Sequence, residues 1–219
     1  VIPEADAASV CAMERALDVY ARPYDPARPV VGLDEKRKQL VRQTREPFTD
    51  SRGVRYEDYE YDRAGVGVLY SACEPLAGWR EVSVEAGQDR LTWARVVGRL
   101  VEGVYAGAER VTLVQDNLSA HTEAALYEVY EPDRARSILR RLEVVPTPVH
   151  GSWLNVAEVE LSVLARQALG RWIGSREELE VAVRAWSSAR TAQQKGVSWQ
   201  FTTEEARVKL ARLYPTVIA

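Results

Sequence analysis

Residues 147–167 read Thr-Pro-Val-His-Gly-Ser-Trp-Leu-Asn-Val-Ala-Glu-Val-Glu-Leu-Ser-Val-Leu-Ala-Arg-Gln, a turn that runs into a helix. Pro146 and Pro148 bar a helix, Gly151 permits a bend, and Ser152 is placed to cap the helix beyond it. From there Leu154, Ala157, Leu161, Leu164 and Ala168 recur at three- and four-residue steps, the pattern of a buried helix face. Glu158 falls on that face, four after Leu154 and three before Leu161. Glu160 lies about 200° round the helix, so the two acids cannot serve one site. A carboxylate on the core-facing side is costly unless something positive meets it, and a metal ion is the obvious candidate. Glu158 is therefore the acid to follow.

Outward from this helix, the chain punctuates itself into short elements. Residues 5–20 predict a helix, with Val10, Met13, Leu17 and Tyr20 on one stripe, ended by a linker holding Pro23, Pro26 and Pro29. Residues 30–33 form a short apolar run, a buried strand with Asp34 at its carboxyl end. Residues 35–62 look like an excursion from the core. Residues 35–55 hold seven basic side chains against three acids, and residues 57–62 then add four acids around Tyr59 and Tyr61. Such a stretch is either a solvated hairpin arm or an arm that touches DNA or a partner subunit. Residues 65–73 and 79–84 predict two strands joined by a turn. Residues 89–105 predict an amphipathic helix, and residues 111–114 another buried strand with Asp116 just past its end. Helical patterns at 122–130 and 133–142 come next, the second carrying Arg134, Arg136, Arg140 and Arg141. This cluster is either a solvated face or a phosphate contact. A last short strand at 143–145 leads into the opening stretch. Helices at 176–192 and 203–213 close the chain, the latter with a capping box of Thr202 and Glu205.

Three strands, a helix, then strand, helix, strand and closing helices predict an α/β fold: a ribonuclease-H-like mixed five-stranded sheet flanked by helices. The strands ending in Asp34 and Asp116 would be neighbours, with their carboxyl ends on one edge. Asp34, Asp116 and Glu158 then converge. Oxygen-only ligation of this kind suits Mg2+ or Mn2+, and two such ions serve phosphodiester cleavage. Each acid alone is weak evidence, since Asp often ends a strand as a turn former.

Composition narrows the classes. A chain of 219 residues that is 46% hydrophobic supports one sizeable core. Its net charge of −3 is unlike that of domains that coat DNA by charge alone. Of 29 basic residues only Lys36, Lys38, Lys195 and Lys209 are lysine, a bias that suits phosphate contacts or a GC-rich genome. Cys11 and Cys73 match no zinc spacing and suit a reducing cytoplasm. No run reaches the roughly 18 apolar residues of a membrane helix, and no signal peptide is visible. The start at Val1, with Met13 the only methionine, suggests a missing N-terminal region.

Val-Gly-Leu-Asp34-Glu-Lys, Leu-Val-Gln-Asp116-Asn-Leu-Ser-Ala-His121 and His150-Gly-Ser-Trp-Leu-Asn155-Val-Ala-Glu158 together resemble the catalytic domain of DDE transposases, in particular the bacterial insertion-sequence branch of the mariner superfamily. The ending, residues 201–215, is also similar to that branch, so the resemblance covers nearly the whole chain. It implies that Asp34, Asp116 and Glu158 are the metal-binding catalytic triad, with Mg2+ or Mn2+, two ions, as cofactor. It implies transposon-end and target DNA as partners, a homodimer, and a cytoplasmic, nucleoid-associated location. It divides the chain into residues 1–29, a helix and linker from an absent DNA-binding region, and residues 30–219, the catalytic domain with an arm inserted at 35–63. That arm stands where mariner relatives carry a loop that clasps the partner subunit. The 41 residues between Asp116 and Glu158 exceed the commonest mariner spacing, and the Arg-rich segment 133–142 holds the excess.

Asn117, His121, His150 and Asn155 are candidates to orient the ligands or to contact DNA; as structural residues, the asparagines are a turn former and a first-turn helix residue. Trp153 is expected in the core at the helix start, with base stacking as the alternative. A Ser-His-Asp hydrolase using Ser119 or Ser152 lacks the Gly-x-Ser-x-Gly elbow. The remaining rivals are a catalytically inactive, transposase-derived DNA-binding or assembly protein and another ribonuclease-H-like nuclease.

Overall fold

The computed structural model describes residues 6–45, 48–56, 60–119, 121–149, 151–193 and 196–216. Its sheet contains β1 (Val30–Gln43), β4 (Tyr61–Glu74), β5 (Trp79–Glu85), β6 (Val111–Gln115) and β7 (Leu142–Pro146), in the order β5-β4-β1-β6-β7. β4 pairs antiparallel with both β1 and β5, whereas β1, β6 and β7 run parallel. The mixed sheet expected from the element order is present.

Alternation along β1 decides which layer each residue meets. Val31 and Leu33 face the layer of α2 (Arg90–Arg99), α3 (Leu126–Val129) and α4 (Pro132–Arg141), where Trp93, Val97, Leu126 and Ile138 are buried. Gly32 faces α5 (Val156–Gln167) instead. Leu69, Val82 and Leu40 meet Leu161 and Leu164 of α5 and Leu179 and Val183 of α6 (Arg176–Ala192). The N-terminal helix α1 (Ala7–Tyr20) is packed into the same body. Its Ala16 and Val19 join Val114 and Val145, and its Met13 and Leu17 join Leu154 and Ala206 of α7 (Thr203–Lys209). Among the described residues, no helix is long and apolar enough to cross a membrane.

Three expectations change. β1 does not stop at Leu33 but continues to Gln43, so Asp34 lies inside a strand. β4 carries the pairing outward from Gly32↔Cys73 to Gln43↔Tyr61, while the pairing with β6 stops at Gly32↔Val114. Asp34 thus sits just beyond the point where β1 loses its parallel neighbour.

The excursion at 35–62 is for the most part this long hairpin, and its base is packed. Leu40 is 4% exposed, the Val41 N–H donates to the Ile173 carbonyl at 2.8 Å, and Lys38 Nζ donates to the Leu169 carbonyl at 2.8 Å. At its far end β2 (Phe48–Thr49) and β3 (Arg55–Tyr56) are exposed and bring Phe48 and Tyr56 into a stack at 5.1 Å.

The third change is at the start of α5. Ser152–Leu154 form a 3-10 turn, and Asn155, not Ser152, caps the helix. That turn drives Leu154 into the core and leaves Trp153 44% exposed, stacked on Trp199 at 6.4 Å and edge-on to Phe201, rather than buried.

Candidate active site

The site begins with the absence of a side chain. A Cβ on Gly32 would stand 3.2 Å from the Ala157 backbone nitrogen and 3.5 Å from Asn155 Oδ1. A larger residue here would press the first turn of α5 back from β1 by a few tenths of an ångström. Asn155, 1% exposed, ties the two elements together. Its Oδ1 accepts the Ala157 N–H at 3.1 Å as a helix cap, and its Nδ2 donates to the Leu33 carbonyl at 3.0 Å. Glu158 lies in the first turn of α5, one turn along from this anchor.

On the sheet side, β1 and β6 pair Val30 with Thr112 and Gly32 with Val114. The same register carried two residues on sets Asp34 against Asp116, on the face that Gly32 presents to α5. Asp34, Asp116 and Glu158 line one cleft of about 320 Å³, with Lys36, Ser152 and Asn155 around them. Burial pushes the Asp34 carboxyl up to about 7; the Glu35 N–H, donating at 2.8 Å, opposes this, and the charges of Glu35, Asp116 and Glu158 add to it. Among the described residues lining the cleft, Lys36 is the one basic side chain. A hard divalent cation with oxygen ligands fits this donor set.

The acid on α5 that is buried and met by positive charge is Glu160. It is 4% exposed, and its carboxylate lies 3.1 Å from Arg80 Nε and 3.2 Å from Arg190 Nη2. α5 is covered on two sides, by the sheet and by α6, so a position about 200° from Glu158 is also interior. Glu158 itself is only half-buried, at the cleft.

Two residues complete the surroundings. Glu35 alternates to the face opposite Asp34, and its side chain is 1% exposed. His121, from the loop after β6, reaches it: Nε2 lies 3.1 Å from Glu35 Oε1, and Nδ1 lies 2.7 Å from Asp116 Oδ1. The Nδ1 contact is an ion-pair distance without hydrogen-bond alignment, and among the described residues Glu35 Oε2 also has no hydrogen-bond partner. Burial alone would lower the His121 pKa, but the two carboxylates at its nitrogens push it up to about 9. The His121 side chain is 1% exposed, Asn117 is exposed beside Asp116, and His150 lies outside the described residues. Glu35 was not among the candidates read from the sequence. Its signal was the alternation Val31, Leu33, Glu35, visible only if the strand is taken past Asp34.

A mixed sheet of this order, opening between β1 and β6 onto an acidic cleft, defines a ribonuclease-H-like domain. The chain belongs to the DDE superfamily endonucleases, whose family model matches residues 29–180, a span that holds all three cleft acids. Its fold is similar to that of the Mos1 mariner paired-end complex with Mn (TM-score 0.56, 16% identity, 89% of this chain and 60% of that one). It is likewise similar to the Mos1 paired-end complex with Mg (0.58, 16%, 99% and 66%) and to the Mos1 strand transfer complex (0.56, 16%, 100% and 66%). The chain therefore spans about 60% of the first of these and two-thirds of the others. No curated protein sequence matches it.

Proposed function

We propose that the chain is the catalytic domain of a mariner-type DDE transposase that cleaves DNA at transposon ends and joins the freed 3′-hydroxyl to target DNA. The observation that carries this reading is the convergence of Asp34, Asp116 and Glu158 in one cleft. These three residues hold the divalent metal, Mg2+ or Mn2+ and two ions by this reading. When bound, the metal supplies Lewis-acid charge and lowers the pKa of a nucleophilic water or hydroxyl. The structures of Mos1 with Mn and with Mg support the choice of metal. Asp34 must be deprotonated to act as a ligand, and Glu158 is placed to accept a proton from the attacking oxygen. Lys36, beside the acids, faces the phosphate backbone and offsets the repulsion between DNA and the carboxylates. The acids, with no covalent nucleophile required of the protein, favour this reading over an inactive DNA-binding relative.

Residues 30–219 are read as the catalytic domain, with residues 1–29 a helix and linker ahead of it and residues 35–63 the inserted arm. The partners are transposon-end DNA, target DNA and a second copy of the chain; the setting is the cytoplasm, at the nucleoid. A plasmid bearing the inverted repeats that bracket the gene is the test substrate. Wild-type protein that includes its DNA-binding region should, with Mn2+, nick at the repeat ends. Asp116→Asn and Glu158→Gln should fold normally and reduce nicking to background. Wild-type rates in either variant would refute the triad.

A further inference from the structure

We infer that Glu35 and His121 are positioning residues that fix the orientation of Asp116 from behind the cleft. Ligand atoms of Glu35, Asp116 and His121 lie within 4.8 Å of one another, close enough to suggest that they share an ion. The ring geometry argues otherwise. Glu35 meets Nε2 and Asp116 meets Nδ1, and these nitrogens point away from opposite edges of an imidazole, so no single ion reaches both carboxylates and the ring. The arrangement is instead a clamp. Gln88 Nε2 donates to Glu35 Oε1 at 3.0 Å and seats that carboxylate from the far side. Trp93 stacks over the His121 ring at 6.0 Å, and its Nε1 donates to Gln115 Oε1 at 2.9 Å, so one indole braces both the imidazole and the residue before Asp116. Asp116 Oδ1 is buried against His121, while the Asp116 side chain is 32% exposed and lines the cleft. That contact leaves its other oxygen for the cleft that Asp34 and Glu158 also line.

The inference rests on Asp116 as a metal ligand, and Mn2+ itself is the probe, measured on the whole chain by titration calorimetry and by the Mn2+ electron paramagnetic resonance line shape. Partners that orient a ligand typically change metal affinity by about 10–100-fold. His121→Ala should weaken Mn2+ by that order, alter the line shape, and lower kcat for nicking with little change in KM for DNA. Glu35→Gln should give a smaller loss in the same direction. His121→Asn places an amide near the position of Nδ1 and should recover much of the affinity, whereas His121→Gln, reaching toward Nε2, should not. Wild-type Mn2+ affinity and line shape in His121→Ala overturn the clamp. If that variant fails to fold, equal affinity in the Asn and Gln variants overturns it instead. A wild-type chain that binds no Mn2+ refutes the metal reading of the triad, and the clamp with it; wild-type binding that is insensitive to His121 refutes the clamp alone.

Discussion

Asn155→Ala tests how the site is assembled, because one side chain joins the helix of Glu158 to the strand of Asp34. Two losses can be separated. Removing Oδ1 uncaps α5 at Ala157, about 1 kcal/mol for a cap of this type. Removing Nδ2 strips the Leu33 carbonyl of its donor in a residue with no exposed surface, just past the last β1–β6 pair, about 1–3 kcal/mol for a buried acceptor left unpaired. The sum is about 2–4 kcal/mol, which for a domain of this size lowers the melting temperature by about 4–16 °C. Catalysis should suffer beyond stability, since a shift of about 1 Å in the first turn of α5 can cost about 100-fold in rate. Asn155→Ser separates the terms: serine still caps but is too short to reach Leu33, so only the second loss should appear. Thermal melts and urea titrations read the stability, and plasmid nicking with Mn2+, below the melting transition, reads the rate. If Asn155→Ala melts and nicks like wild type, the tie between helix and strand carries none of the weight assigned to it.

The same structure sets three further outcomes. The raised pKa of Asp34 means that its protonated form favours the metal-free fold: this contribution is full below the ordinary carboxylate range and is lost as pH rises through about 7. Mn2+ needs the ionised form, so affinity should climb about tenfold per pH unit up to about pH 7 and then level; calorimetry showing a flat profile from about pH 5 to 8 would sink this assignment. Glu160→Ala leaves Arg80, whose side chain is 2% exposed, without its carboxylate and should cost about 3–5 kcal/mol in urea denaturation, whereas Glu160→Leu with Arg80→Met should recover most of it. Replacing residues 45–59 by Asn-Gly should leave the melting temperature nearly unchanged, because β1–β4 pairing already reaches Gln43↔Tyr61 and a two-residue turn closes it. The same variant should lose the joint binding of two transposon ends in a gel-shift assay, and unaltered pairing of ends would return the arm to a solvated hairpin.

The features legible in the sequence and those hidden from it divide along local and long-range causes. The element order, the strand before Asp116, the helix after residue 155 and the capping box at Thr202 are written in neighbouring residues, through apolar periodicity and caps. The continuation of β1 is not. Asp34-Glu-Lys-Arg-Lys looks like the end of a strand because charge comes after apolar residues, yet β4 holds the backbone extended through it from far along the chain. The burial of Glu160 is not local either: it depends on α6 covering a side of α5 that the periodicity of Leu154, Ala157, Leu161 and Leu164 does not mark. The continuation of β1 bears on the site. A strand that continues past Asp34 must send Glu35 to the other face, where a lone buried carboxylate is unfavourable without a donor. His121 and Gln88 meet it there, and His121 alone of the two also reaches Asp116. Adjacent acids on one strand thus take opposite duties, Asp34 toward the cleft and Glu35 toward the support of its partner acid, and that division comes from the pleat of β1.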